Sequence, residues 1–293
     1  MDRWLVLFLT WLNLSSSACL RYEDVIRNDV HEFETYIPDS VFEKAKNRYP
    51  EDLSKIGIYT YTTPYSNKYR GDVKKKSEGI RRIRGRIIQR SAIADHQRWW
   101  KDGEIPYAIS SRYGEYSQEI IAQAMEEYRT QTDNCIRFIP RDSFKHRNYI
   151  YIFPDDGCYS LIGRVGGRQE LSLDAGCIEK GTVMHELLHV LGFFHEQNRH
   201  DRDEFVDIKW NNIYGEAIDQ FDKFDRRDLV YFDESYDYQS IMHYGPYAFS
   251  KNGNKTIVAR KSGGSRMGQR ENFSPTDLRR IRKVHLRKAV KNP

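Results

Sequence analysis

The stretch His185-Glu186-Leu187-Leu188-His189-Val190-Leu191-Gly192-Phe193-Phe194-His195 decides how this chain is read. On an α-helix, residues four apart share a face with about 6 Å of rise between them, so His185 and His189 can offer two imidazole nitrogens to one ion. Two ligands leave a zinc ion underbound. Gly192 lets the chain leave the helix through a backbone conformation that is costly for other residues, which brings His195 back as a third ligand and leaves a fourth position for water. Glu186, beside the first ligand, can take that water's proton as the metal polarises it and hand it to a departing amine. The chemistry so assembled is metal-assisted peptide hydrolysis, with Zn²⁺ as cofactor, one per subunit. A bare His-Glu-x-x-His arises by accident on amphipathic helices; the full eleven-residue string is far more specific.

Around this stretch the chain has a globular texture from Ser91 onward. Ile105-Pro106-Tyr107-Ala108-Ile109-Ser110 predicts a strand, and residues 117–130 carry Ile121, Ala124, Met125 and Tyr128 at the i, i+3, i+4, i+7 spacing of a helix. Strand-like runs follow at 136–139 and 149–153, then a glycine-rich stretch, then a helix from Thr182 to about Leu191. No internal repeat is visible. Cys158 and Cys177 flank the glycine-rich stretch, which can fold back as a loop, so they are paired here and Cys135 is left free or intermolecular.

The N-terminal part reads differently. Trp4 to Leu14 is the one long apolar run, too short for a bilayer span of about 20 residues, and it lies between Met1-Asp2-Arg3 and Ser15-Ser16-Ser17-Ala18. That order is the order of a signal peptide, residues 1–18, which makes the product secreted and extracellular with no membrane span. Residues 19–90 are polar, lack clear periodicity and read as a pro-segment, leaving 91–293 as a single catalytic-sized domain. The net charge of +5 resides in residues 70–90, where nine Lys/Arg face two acids. The remainder sums to −2, so no basic surface spans the fold and nucleic acid is not an expected partner. In a secreted chain such a run suits an activating protease cutting near Arg84 to Arg90: Arg81-Arg82-Ile83-Arg84 offers one site and Arg90 another. A second basic cluster, from Arg279 to Lys291, reads as a solvated face. Asn254-Lys255-Thr256 and Asn272-Phe273-Ser274 are sequons, making Asn254 and Asn272 candidate glycosylation sites.

The sequence beyond the third histidine, Glu196-Gln197-Asn198-Arg199-His200-Asp201-Arg202-Asp203, together with Ser240-Ile241-Met242-His243-Tyr244, whose Met242 lies 47 residues after His195, resembles the astacin metallopeptidases of the metzincin clan. The resemblance runs from about Ser91 to Val284. It implies an α+β fold: a two-subdomain catalytic domain with a twisted mixed sheet and an active-site helix above, a loop-built half below, and a substrate cleft between the halves. It implies that Met242 forms the apolar floor of the Met-turn and that Tyr244 can stabilise an oxyanion through its hydroxyl. Residues 164–169 resemble the family's edge strand, along which an extended peptide or protein substrate would bind.

Two further implications concern activation. In the family a pro-segment aspartate ligates the zinc in place of the catalytic water, and Tyr69-Arg70-Gly71-Asp72 makes Asp72 the candidate latency switch. Cleavage near Arg90 would free Ser91, whose ammonium would pair with Glu196. The chain departs from the family where Val284-His285-Leu286-Arg287 replaces a Tyr-x-Cys, so Cys135 lacks its partner. A bridge over roughly 150 residues is worth about 4 to 5 kcal/mol on chain-entropy grounds, and its loss predicts a looser C-terminus. The expected function is a secreted zinc-dependent endopeptidase made as a latent zymogen. The alternative is a zinc-bearing secreted binding protein without turnover.

Overall fold

A computed structural model of the chain describes residues 20–56, 58, 73, 96–224 and 233–286. The regular elements are, in chain order, α1 (Tyr22–Val25), β1 (Glu34–Thr35), α2 (Asp39–Ala45), β2 (Glu104–Ser110), α3 (Glu115–Gln131), β3 (Arg137–Pro140) and β4 (Tyr149–Phe153). They continue with β5 (Cys158–Ser160), β6 (Arg168–Leu173), α4 (Lys180–Val190), β7 (Val206–Ile208), β8 (Ile257–Ala259) and α5 (Pro275–Leu286). The signal peptide, Asp72, the processing region and Ser91 lie outside the described residues.

Strand alternation fixes which face of the sheet is covered. Ile105, Tyr107 and Ile109 of β2, Ile150 and Ile152 of β4, and Leu171 and Leu173 of β6 share one buried cluster with residues of α3 and α4, including Ile121, Met125, Val183 and Leu187. The intervening residues Ala108, Tyr149 and Tyr151 form a separate small cluster with Phe153. The sheet is mixed: β2, β4 and β6 run parallel, β3 pairs with β2 in the same sense, and β1 and β5 are antiparallel to their neighbours. A second apolar cluster, built from Val206, Ile208, Phe221, Tyr236, Tyr244 and Ile257 among others, lies in the mostly irregular part of the chain after α4. The sequence expectation of an α+β fold with two halves is met by these two cores.

Several local readings need correction. On this side of the sheet the edge is β5, not residues 164–169: residues 164–167 are loop, while β6 begins at Arg168 and is flanked by β4 and β5. Part of the glycine-rich stretch is therefore strand, because β5 and β6 pair within it and the Cys158–Cys177 disulfide (Cα–Cα 5.8 Å) closes it. Cys135 is the free cysteine among the described residues. Residues 20–58 are not structureless either. Their Val25, Ile26, Ile37, Val41, Ala45, Leu53 and Ile58 are buried in the main core, and β1 adds a strand to the sheet.

The C-terminal helix is tied in without the family bridge. Ile281 and Val284 are buried in the main core, and Arg282 donates to the Gln131 carbonyl (2.8 Å) and pairs with Asp133. The basic cluster is accordingly not a plain solvated face, since Arg280 is buried and Arg279 and Lys283 both pair with Glu234. A cavity of about 920 Å³ lies between residues 42–58 and α3, lined by Leu53, Tyr116 and Glu179 among others; none of the three histidines lines it.

Gly181, in the first turn of α4, packs against the backbone of the 270 region: an added Cβ would lie 1.6 Å from the Arg270 carbonyl oxygen. A backbone atom cannot swing away, so Gly181→Ala is expected to cost about 3 kcal/mol, the upper end for overpacking. Urea denaturation of the two proteins measures it, and a loss under 0.5 kcal/mol, on the order of an ordinary surface change, would contradict the close approach.

Candidate active site

α4 carries His185, Glu186 and His189 and is buried on every side, Gly181 to Val190 included. Its end is a complete Schellman motif: the Gly192 N–H donates to the His189 carbonyl (2.8 Å) and the Phe193 N–H to the Leu188 carbonyl (3.1 Å). Gly192 sits at φ 103°, the left-handed region that the reversal requires. Trp100 Nε1 donates to the Val190 carbonyl (2.9 Å) and the Tyr128 hydroxyl to the Met184 carbonyl (2.6 Å), so helix carbonyls are satisfied in the apolar interior.

The reversal brings His195 back to the other two histidines, and all three are buried. His185 Nδ1 donates to the Ile241 carbonyl (2.8 Å) and His189 Nδ1 to the Phe193 carbonyl (2.7 Å), which leaves Nε2 of each as a lone-pair donor. His189 Nε2 stands 3.1 Å from His195 Nε2, which stands 3.3 Å from His185 Nε2. Lone pairs facing one another at such distances repel unless a cation lies between them. Two nitrogens on one tetrahedral zinc, each at roughly 2.0–2.1 Å, stand about 3.3 Å apart, so the residues fit a zinc ion.

Comparison with known proteins agrees with this donor set. The model of the Astacin family of peptidases matches residues 92–286. The chain belongs to the astacin family. Among its astacin relatives, zinc metalloproteinase nas-4 of Caenorhabditis elegans is 45% identical over 272 residues, covering 92% of this chain and 85% of that protein. Zinc metalloproteinase nas-8 of Steinernema carpocapsae is 44% identical over 218 residues, and the chain spans about half of it (51%). Of solved astacin structures, high choriolytic enzyme 1, a hatching enzyme zinc-protease of the medaka fish Oryzias latipes, superposes with a TM-score of 0.61 at 39% identity, over 65% of this chain and 96% of that one. This astacin is a zinc metalloendopeptidase, with His185, His189 and His195 as its histidine triad.

In this astacin residues 240–244, read from sequence as a Met-turn, meet both ends of the ligand string: the Ile241 carbonyl takes His185 Nδ1. Met242 is buried, and its carbonyl accepts the N–H of Glu196, the residue after the third histidine (3.1 Å). Tyr244 is fully buried with its ring 4.4 Å from that of His195, centroid to centroid. Its backbone N–H donates to Gln197 Oε1 (3.0 Å). His243 donates from Nδ1 to the Tyr244 carbonyl and accepts the Tyr236 hydroxyl at Nε2 (both 2.7 Å). Burial holds its pKa down to about 4, so this imidazole is neutral and structural.

Two residues that sequence reading passed over hold this astacin site in place. Asp277 accepts from Ser240 Oγ (2.7 Å) and the Ile241 N–H (3.0 Å), gripping the turn that receives His185. It is also the N3 residue of α5, where Ser274 and Asp277 exchange side-chain-to-backbone bonds (2.9 and 3.0 Å) in a capping box with Pro275 at N1. Burial pushes its carboxyl up to about 6 against these donors. The pattern Ser274-Pro275-Thr276-Asp277 is a legible helix start, but what its acid grips is not.

The other is Arg280, which holds Glu196 through two bonds (Nη1 to Oε2 2.6 Å, Nη2 to Oε1 3.0 Å) while the Asp237 N–H adds a third (2.8 Å). Glu196, assigned from sequence to the mature N-terminus, is thus bound by α5 in the full chain. Burial alone would raise its carboxyl; Arg280 and Arg199 override this and hold it below the usual carboxylate range. A lowered folded pKa contributes stability that is complete above the unfolded value of 4.5 and is lost as the pH falls through the folded one. Arg280→Ala is expected to cost about 3 to 5 kcal/mol at pH 7, with the gap to wild type narrowing below pH ~4.5. Urea denaturation across that range measures it; a pH-independent gap would show that packing, not charge, ties α5 to the site.

Proposed function

We propose that this zinc metalloendopeptidase is made as a secreted, latent precursor and cuts extracellular proteins with Glu186 as general base and Tyr244 as oxyanion donor. The observation carrying this reading is the convergence of three buried imidazoles, two of them with Nδ1 occupied by a carbonyl, with Glu186 buried on the same helix turn. A zinc ion held by the three Nε2 atoms would supply Lewis acidity toward a substrate carbonyl and a water. Glu186 takes the proton of the attacking water and returns it to the amine that leaves. Tyr244, packed against His195, donates its hydroxyl to the oxygen that gains charge. His243 and Gln197 fix the tyrosine's backbone from either side.

Latency fits one further contact. Val73, the residue after Asp72, makes a parallel bridge to Ser160 of β5, the outer strand of the sheet next to β6. Strand addition at that edge occupies what an extended substrate would use, and Asp72 precedes it in the chain. Exposed Asn254 and Asn272 remain the proposed glycosylation sites.

Cleavage of a quenched peptide library by the processed protein tests the catalytic assignment. Glu186→Gln is expected to lower kcat by about 10²–10⁴ and Tyr244→Phe by about 10²–10³, both with zinc content unchanged by elemental analysis. A zinc chelator should abolish cleavage, and added zinc should restore it. Silence from a wild type that carries zinc would favour a binding protein without turnover. For latency, Asp72→Ala is expected to give an unprocessed precursor that cleaves the library measurably; a precursor as silent as wild type would remove Asp72 from the switch.

A further inference from the structure

Residues 20–58 are held to the catalytic domain by contacts that do not involve the active site. The strand β1 continues the edge of β2 in antiparallel register, Glu34 opposite Ser110 and Thr35 opposite Ile109. Ahead of it, Phe33 exchanges bonds with Ser111 through its N–H to Oγ and its carbonyl to N–H (both 3.0 Å), and the Arg27 N–H donates to the Arg112 carbonyl (2.7 Å). Glu34 of β1 and Glu32 just ahead of it both reach the sheet face that carries Tyr149 and Tyr151. There the Tyr149 hydroxyl donates to Glu34 (2.9 Å) and the Tyr151 hydroxyl to Glu32 (2.5 Å), the tyrosines being two residues apart on β4.

Arg141 and Arg168 complete the surface. Each guanidinium stacks on one of those rings, Arg141 at 3.8 Å from the Tyr149 centroid and Arg168 at 4.0 Å from that of Tyr151, and both pair with Glu34 (2.7 and 3.2 Å). On the far side, α2 packs on α3, and Gln123 Nε2 donates to the Ala45 and Arg48 carbonyls (both 2.7 Å). Arg48 pairs with Glu119 and stacks on Tyr116. The segment thus grips two faces of the domain at once, with buried apolar side chains between the grips.

We infer that residues 20–58 are a docking module that stays bound after the linker is cut, so that the processed protein is a two-piece complex in which Val73, on the same fragment, still competes for β5. The inference rests on reading residues 19–90 as a pro-segment. Its physical basis is that cleavage between Arg81 and Arg90 severs none of the contacts above. Val73 then hangs only 15 residues from Ile58, close enough to keep a high effective concentration at β5. A cut in the basic run is therefore insufficient for full activity; release of the module, or a second cut between residues 58 and 72, is required.

The test uses the full chain, cut in vitro with trypsin under conditions where mass spectrometry finds cleavage only within residues 81–90. Native mass spectrometry and gel filtration at micromolar concentration are expected to show the N-terminal fragment co-eluting with the catalytic piece, and separation in mild denaturant followed by refolding of the catalytic piece, or simple dilution, is expected to raise peptidase activity. Glu32→Gln with Glu34→Gln, which keeps size and hydrogen-bonding reach, should weaken retention about tenfold and raise activity at the same cut. Arg168→Gln, on the other side of the contact, should act in the same direction. Fragment loss from the cut wild type at micromolar concentration, or full activity while the fragment remains bound, would overturn the inference. N-terminal sequencing of the naturally secreted product tests the pro-segment reading separately, because retention after the trypsin cut does not depend on where the natural terminus lies.

Discussion

The hydrogen bond from His185 Nδ1 to the Ile241 carbonyl joins the two halves of this protein. Above it stands a helix buried on all sides, packed into a core shared with the sheet; below it lies a chain of turns with few regular elements. Irregular backbone cannot hold a carbonyl still by its own ladder of bonds, so it must be held from outside. Asp277 does this, bonding Ser240 and the Ile241 N–H from the first turn of α5. The ligand's tautomer is therefore set by a carbonyl, the carbonyl by a carboxylate, and the carboxylate by a helix cap formed 92 residues further along the chain.

The same helix reaches the site a second time through Arg280. Its ion pair with Glu196 lies one residue from the third histidine, and Glu196 is itself bonded through its N–H to the carbonyl of Met242. Two buried charges are expensive to desolvate, and the geometry answers with a bidentate contact, a backbone N–H and a second arginine nearby. The site is therefore pinned by hydrogen bonds at two places outside regular structure, after Val190 and at residues 240–242. That is where a loose backbone would let three imidazoles drift apart.

How much of this was legible follows from distance along the chain. The three ligands, the base and the glycine reversal occupy eleven consecutive residues, so local helix geometry was enough to assemble them. The strand-like runs at 105–110, 136–139 and 149–153 fall within one residue of β2, β3 and β4. Asp277 and Arg280 were not legible because their partners lie 36 and 84 residues away, and a basic cluster looks the same whether solvated or paired. The N-terminal segment misled for a related reason. Val25, Ile26, Ile37, Val41 and Leu53 sit in elements and connections too short to show a period, and they are buried in the core that β2 and α3 share.

The long reach of that segment also orders events in time. Its polar contacts with the domain span 65 to 134 residues, from Tyr116 and Glu51 to Arg168 and Glu34. During synthesis at 5–20 residues per second, roughly, the strand that borders β2 leaves the ribosome several seconds before its neighbour exists. It must wait unpaired, with its apolar residues in solvent, until its partners on β2 and β4 have followed. Contacts of such sequence separation slow folding, since loop closure precedes any gain from them. The part of the chain made first is thus among the last to find its place, and the sheet edge it covers stays open to other strands until then.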